Sequence, residues 1–377
     1  MTGEGLRVGW FGHGEGRRAD GLSTYSREVV GALRRRGVEV RFFSHDVDGD
    51  VVPAPSVRLR AVRMKTLTFS LPGSSPRVAA GLAELGPDIV HCSWSFSTLD
   101  GRIARMSRAA GAASVATFHL PYADPRSGRG RVLRGLYRWH VHNLSGYDHC
   151  VALSDDQAEL IAAAGFPPER VTVVHNGVDA DAVTPGESGL RDRLGARFVV
   201  AYMGRLDPEK RVPALVSSFL RLGWPDDHVL VVAGGGVQEG RVRRLAGDRP
   251  NVRVLGVVTD PALRLELLRA ADVYVLPSTA EGLSLSMLEA MAAGCAVVAT
   301  EVGEDGAALG DAGIHIPVAP LEPHLGNALR RLRGDAGLRA ELGARARARV
   351  VERYSLRSGV DRLVDLYARL RAARAAA

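Results

Sequence analysis

All but two of the 49 basic residues in this 377-residue chain are arginine; the exceptions are Lys65 and Lys210. A lysine that persists in such a background draws notice. Lys210 stands in Gly204-Arg-Leu-Asp-Pro-Glu-Lys210-Arg211, directly after a short apolar run. Arg205 offers a planar fork of donors and Lys210 a compact charge. Set at a helix N-terminus, with Pro208 suited to the first helical position, the two would suit a diphosphate. The blander reading is a charged, salt-bridged surface turn, with the arginine excess a composition bias.

A second cluster is Glu281-Gly-Leu-Ser-Leu-Ser-Met-Leu-Glu289. If Glu281 lies in a loop and Glu289 in the first turn of the following helix, both carboxylates can face one pocket and accept sugar hydroxyls. The N–H groups of Gly282, Leu283 and Ser284 can meet anionic oxygen. The competing reading is a capping box, Ser286-x-x-Glu289, serving only the helix. His119, in Thr117-Phe-His-Leu-Pro121, sits where a strand should end, which sets a functional role level with the commoner reading of a packed structural histidine. The glycine-containing loop from Gly12 to Gly21 could present N–H groups to an anion. It is not a dinucleotide fingerprint, because Arg17 stands where the third glycine of G-x-G-x-x-G is due.

These residues need elements to place them. Short, almost wholly apolar runs at 7–11, 38–43, 88–92, 114–118, 149–153 and 171–175 read as strands buried on both faces, with helical spacing between most of them. A polar Gly/Pro stretch at 184–189 interrupts the pattern. It restarts with runs at 198–203, 228–233, 251–256, 272–276, 295–300 and 314–318. The expectation is an α/β chain of two Rossmann-like lobes with a cleft between them. Lobe one spans 1–183, lobe two 184–353, and a last helix over 354–377 packs back on lobe one. The segment 44–87 is expected to be irregular. Ligands of open α/β sheets lie at the carboxyl ends of strands, where each cluster above falls.

The formal charge of +7 and pI near 9.7 admit a nucleic acid, an anionic membrane face or an anionic ligand. Aromatic residues make up only 6%, leaving little stacking surface for single strands, so no nucleic-acid partner is expected. Residues 126–143 form a basic amphipathic pattern, with Arg131, Arg134 and Arg138 beside Val132, Leu136 and Trp139. That pattern is either a solvated helix face or a peripheral membrane contact. Three scattered cysteines, Cys92, Cys150 and Cys295, fit a reducing compartment. The N-terminus lacks the charged and apolar regions of a signal peptide. A cytoplasmic location, at most at the inner face of the membrane, is therefore expected.

Taken together, the motifs resemble those of the retaining GT-B glycosyltransferases of family 4. Gly204-Arg-Leu-Asp-Pro-Glu-Lys210 is similar to the family's G-R-L-x-x-E-K. Glu281 and Glu289 fit its E-x7-E, between Ala271-Asp-Val-Tyr-Val-Leu-Pro-Ser278 and Leu288-Glu-Ala-Met-Ala-Ala-Gly294. Asn176-Gly-Val-Asp179 matches its N-G-V-D. The resemblance covers nearly the whole chain. It implies a hexose moved from a nucleoside diphosphate sugar to a hydroxyl acceptor, with no metal and no cofactor. Arg205 and Lys210 would hold the diphosphate. Glu281 and the N–H groups of Gly282 to Ser284 would hold the sugar, Glu289 the ribose, His119 the sugar from lobe one, Gly21 the phosphate, and the backbone near Val257 the base. Asp20, Leu283-Ser284 and Glu304 depart from the family's usual glycine pair, Phe-Gly and second glycine. A sugar-nucleotide epimerase or phosphorylase would share this architecture; the intact pair of glutamates argues against both.

Overall fold

The computed structural model describes residues 3, 5–14, 21–46, 51–64, 67–94, 97–119 and 144–376. The basic segment 126–143, Lys65 and Asp20 lie outside them. The chain divides into two compact units, one comprising Met1–Asn176 with Leu356–Ala377 and the other Gly177–Ser355. The first unit ends before the polar stretch at 184–189. The reason lies in pairing within the second unit: the Val178 N–H donates to the Tyr354 carbonyl at 2.9 Å, so chain entry and exit lie side by side.

The first unit is built on β1 (Arg7–Gly12), β2 (Glu39–Asp46), β3 (Ser56–Met64), β4 (Leu67–Ser70), β5 (Ile89–Trp94), β6 (Ala113–Phe118), β7 (His149–Ala152) and β8 (Val171–Val173). Their order across the sheet is β4-β3-β2-β1-β5-β6-β7-β8, with only β3 and β4 antiparallel. β5 and β6 are buried along their whole length, in keeping with their mostly apolar runs. The expectation of an irregular 44–87 is corrected here. β3 and β4 form the edge of the sheet, and a helix spans Ser74–Leu85. Ser56-Val-Arg-Leu-Arg-Ala-Val-Arg-Met64 largely alternates polar and apolar residues, the mark of a strand with one face exposed, which a search for continuous apolar runs passes over.

The last helix, Leu356–Ala375, belongs to this unit. It contributes Leu356, Val360, Leu363, Val364, Leu366 and Tyr367 to a core with Trp10, Val30 and Phe42. The Tyr367 hydroxyl lies 2.5 Å from Nδ1 of His91, whose Nε2 lies 2.6 Å from the Thr117 hydroxyl. The His91 ring also stacks on Trp10 at 4.2 Å. Burial, seconded by the His119 ring, pushes the His91 pKa down to about 3. The ring is therefore neutral at pH 7, with one nitrogen donating and the other accepting.

The second unit holds β9 (Phe198–Met203), β10 (His228–Ala233), β11 (Val252–Gly256), β12 (Val273–Leu276), β13 (Ala296–Thr300) and β14 (Gly313–Ile316). These lie in the order β11-β10-β9-β12-β13-β14, every neighbouring pair parallel. The order reverses between β9 and β12, and in the first unit between β1 and β5. At such a switch point the connections leave to opposite faces and open a crevice beyond the strand ends. No helix among the described residues is long and apolar enough to cross a membrane.

The docking of the last helix predicts the cost of one oxygen. Tyr367→Phe keeps the ring but leaves a ring nitrogen of His91 without a partner in a dry interior, which costs about 1–3 kcal/mol. Urea unfolding measures it; a loss below about 0.5 kcal/mol would show that the bond contributes nothing.

Candidate functional site

β9 ends at Met203, and Gly204-Arg-Leu-Asp207 follows at the switch point. The sequence leads one to expect Pro208 to open an α-helix. Instead Pro208–Lys210 forms a single 3-10 turn, and the α-helix begins only at Val212. Arg211, between them, has a left-handed backbone (φ 52°), which breaks one helix from the other. The turn is pinned by the Tyr202 hydroxyl, which donates to the Arg205 carbonyl at 2.7 Å. It also accepts through the Glu209 carbonyl from the Thr279 N–H at 2.7 Å.

β12 ends next to β9, and its following loop carries Glu281. Lys210 Nζ and the Glu281 carboxylate form an ion pair, and the Ser278 hydroxyl donates to the same Glu281 oxygen at 2.6 Å. The two side chains are only 13% and 9% exposed, so this pair is largely withdrawn from water. Two residues from separate sequence motifs thus meet directly. Arg205 is different: it is half exposed and pairs with Asp207 and with Glu209, the latter at 2.9 Å. Arg205 thus forms the charged, salt-bridged turn that the sequence also allows.

The loop after Glu281 is braced from behind. Gly303, with φ 55°, follows β13 and passes so close that an added Cβ would collide with the Glu281 carbonyl oxygen. The Glu304 N–H donates to the Gly282 carbonyl at 2.9 Å, and Asp305 Oδ1 accepts from the Ser284 N–H at 2.7 Å. Ser284 is also the N-cap of the helix Leu285–Ala292, accepting from the Met287 N–H at 3.4 Å. Two expectations change as a result. The Ser284 N–H is spent within the protein, whereas those of Gly282 and Leu283 have no acceptor among the described residues. The capping box on Ser286 and Glu289 does not form, because the cap falls at Ser284. The Ser286 hydroxyl instead lies 2.9 Å from the Tyr274 hydroxyl.

Glu289 points elsewhere: both its oxygens lie 2.7 Å from Nη2 of Arg264, on the helix Pro261–Ala270. Val257 is exposed just past β11. It packs over the Gly234–Gly236 turn that follows β10, so tightly that a Cβ on Gly235 would come within 2.7 Å of the Val257 side chain. Arg205, Lys210, Glu281, Gly282, Leu283, Ser284, Glu289 and Val257 therefore all lie beyond strand ends of one sheet.

The remaining two residues lie in the first unit. His119 directly follows β6, half-buried, with Nε2 2.8 Å from the Ser93 hydroxyl and the Tyr25 ring edge-on at 4.8 Å. Burial, and then the nearby His13 ring, push its pKa down to about 3, so it is a neutral hydrogen-bonding group at pH 7. Gly21 begins the helix Gly21–Arg35; the loop residues 15–20 before it lie outside the described residues.

Sequence reasoning passed over Arg264, Asp305 and Ser278. Nothing marks Arg264 among so many arginines. Asp305 had a usable signal, an acidic residue just past an apolar strand, but its neighbour Glu304 drew the attention. Asp305 is fully buried, its Oδ2 without a partner among the described residues. Burial, then the Glu281 charge, push its pKa well above the usual carboxylate range.

Sequence profiles described as Glycosyltransferase Family 4 and as Glycosyl transferases group 1 match residues 19–182 and 197–335. The D-inositol 3-phosphate glycosyltransferase of Kineococcus radiotolerans is 30% identical to this chain, over 93% of it and 91% of the relative. Sucrose-phosphate synthase from Thermosynechococcus elongatus is similar in fold, with a TM-score of 0.75 at 22% identity over 98% of this chain and 100% of that one. HepE of Anabaena, solved in complex with UDP, gives a TM-score of 0.74 at 17% identity over 96% and 99%.

The Asp305 geometry makes a signed prediction. A carboxyl whose pKa is higher in the folded than in the unfolded state holds its proton longer in the fold. Stability is then lost as pH rises from about 4, the unfolded value, toward the folded one. Asp305→Asn keeps an acceptor for the Ser284 N–H and carries no charge. Its stability relative to the parent should rise over that window in urea titrations at successive pH values, whereas Asp305→Ala should be destabilised by about 1–3 kcal/mol. Parallel curves for parent and Asn variant would contradict the assignment.

Proposed function

As the chain belongs to glycosyltransferase family 4, we propose that it transfers a hexose, with retention of anomeric configuration, from a nucleoside diphosphate sugar to a hydroxyl acceptor. The observation that carries this reading is the Lys210–Glu281 pair at the β9/β12 switch point, beside the open N–H groups of Gly282 and Leu283. Cation, sugar-binding carboxylate and backbone donors stand within one loop cluster.

The chemistry follows from charge. Breaking the anomeric C–O bond builds positive charge on the sugar and negative charge on the departing diphosphate. Lys210 stabilises that leaving group, and Arg205 joins it by leaving Asp207 and Glu209 for the phosphates. Such preorganised electrostatics are commonly the largest contribution to catalysis. No metal is required where two cations meet the diphosphate. Glu281 accepts from sugar hydroxyls while Gly282 and Leu283 donate to their oxygens. Glu289 takes the ribose hydroxyls and the backbone near Val257 the base, and the family's motif pattern assigns Gly21 to the phosphate. His119, neutral at working pH, exchanges a hydrogen bond with a sugar hydroxyl and does not titrate as it does so. Retention without a protein nucleophile implies a front-face route: the acceptor attacks from the side the diphosphate leaves, and the leaving phosphate oxygen takes the acceptor proton.

The acceptor is a hydroxyl compound, and the similarity to the D-inositol 3-phosphate glycosyltransferase of Kineococcus makes D-inositol 3-phosphate the first to assay. The reading further proposes that the protein acts in the cytoplasm, at most at the inner membrane face, and has no nucleic-acid partner.

Lys210 provides the test. Lys210→Ala should lower kcat/KM by roughly tenfold to a thousandfold, the scale of lost transition-state stabilisation. Lys210→Arg should be impaired as well, because a flat fork does not replace a point charge. Since removing one partner of a sheltered ion pair also destabilises the fold, melting temperatures are measured alongside. Near-parent turnover in both variants would return Lys210 to a purely structural role.

A further inference from the structure

The ion pair between Arg264 and Glu289 has no part in the reading above. Arg264 lies one helical turn into Pro261–Ala270, and the start of that helix is pinned by Asp260, whose Oδ1 accepts from the Ala262 N–H at 3.0 Å. Residues 257–260 alone separate it from the end of β11. Its guanidinium therefore links the β11 edge, where Val257 is exposed, to the carboxylate on the helix after β12. The contact is one-sided. Nη2 alone bridges both Glu289 oxygens at 2.7 Å, while Nε and Nη1 have no hydrogen-bond partner among the described residues. An arginine used only for structure would more naturally engage a carboxylate with its two-pronged edge. Here both forks of the guanidinium share the engaged Nη2, and Nε and Nη1 remain as separate single donors on either side of it, on a side chain 32% exposed beside one 17% exposed.

We propose that Arg264 is a positioning and base-selecting residue of the donor site, which fixes the Glu289 carboxylate through Nη2 and selects a nucleobase bearing a carbonyl oxygen through one of its remaining single donors, Nε or Nη1. The inference rests on reading Glu289 as the ribose carboxylate. A carboxylate has about four lone-pair sites, so one bridging nitrogen sets its orientation without exhausting its capacity to accept. Guanidinium is donor-only and always charged. It matches uracil, whose edge carries carbonyl oxygens, or guanine, with O6 beside N7. Adenine places an amino donor where guanine has O6, and donor facing donor costs a hydrogen bond and leaves the guanidinium unpaired. The same side chain thus sets the angle of the ribose carboxylate and penalises the wrong base.

The experiment is calorimetry of UDP, GDP and ADP on the full chain and on Arg264→Gln, Arg264→Lys and Glu289→Gln, with melting temperatures taken without ligand. The parent should bind UDP or GDP at least about tenfold more tightly than ADP. Arg264→Gln should weaken the preferred nucleotide by about tenfold to a hundredfold, the worth of a charged hydrogen bond, and ADP far less, so that selectivity collapses. Arg264→Lys keeps the charge without the fork and should fall between; it carries the test if the Gln variant does not fold. Glu289→Gln should weaken all three nucleotides by a similar factor. A parent that prefers ADP, or an unchanged selectivity ratio in folded Arg264 variants, overturns the inference and leaves the ribose reading standing. Undiminished binding of all three by Glu289→Gln overturns the ribose reading and this inference with it.

Discussion

In the second unit, a lysine from the end of one strand and a glutamate from the end of its neighbour meet where water is nearly excluded. Such a pair is stable only if its remaining hydrogen-bonding capacity is met, because desolvating two charges costs as much as their attraction returns. Ser278 and the Thr279–Glu209 backbone link supply that support. The constraint spreads outward. Glu281 can hold Lys210 only if the loop after β12 is rigid, and the loop is rigid because Gly303 passes beneath its carbonyls and Asp305 grips the Ser284 N–H. Among the described residues the N–H groups of Gly282 and Leu283 stay unengaged by this brace.

The sheet order explains why these groups meet at all. β9 and β12 are neighbours in space, yet two strands, β10 and β11, lie between them in the chain. Residues 210 and 281 come together because the chain first builds outward on one side of β9, then returns to build on the other. In the first unit β5 and β6, consecutive in the chain and paired in the sheet, set Ser93 beside His119.

Much of this was legible because a strand buried on both faces has to be continuously apolar. Each of β9, β10, β12 and β13 announces itself that way, and the chemistry-bearing residues then follow as whatever comes next. The principle fails where burial is one-sided. β3 and β4 alternate, lie at an edge and escape notice. The site was legible in its residue types but not in its pairings. That Lys210 would hold Glu281 follows only from three-dimensional adjacency. The Ser286-x-x-Glu289 spacing fitted a capping box well, but a hydroxyl two residues earlier captured the helix start. Asp305 and Arg264 act through partners far away in sequence, Ser284 and Glu289, and no local pattern reveals such partnerships.

Where a diphosphate settles decides the role of the Lys210–Glu281 pair, and a crystal structure with a bound nucleoside diphosphate locates it directly. The diphosphate should lie at the β9/β12 end of the second unit, within hydrogen-bond reach of Lys210 Nζ and the N–H groups of Gly282 or Leu283, with the ribose hydroxyls at Glu289. A diphosphate bound elsewhere, such as against the Gly12–Gly14 turn, with the Lys210–Glu281 region unoccupied, would contradict it.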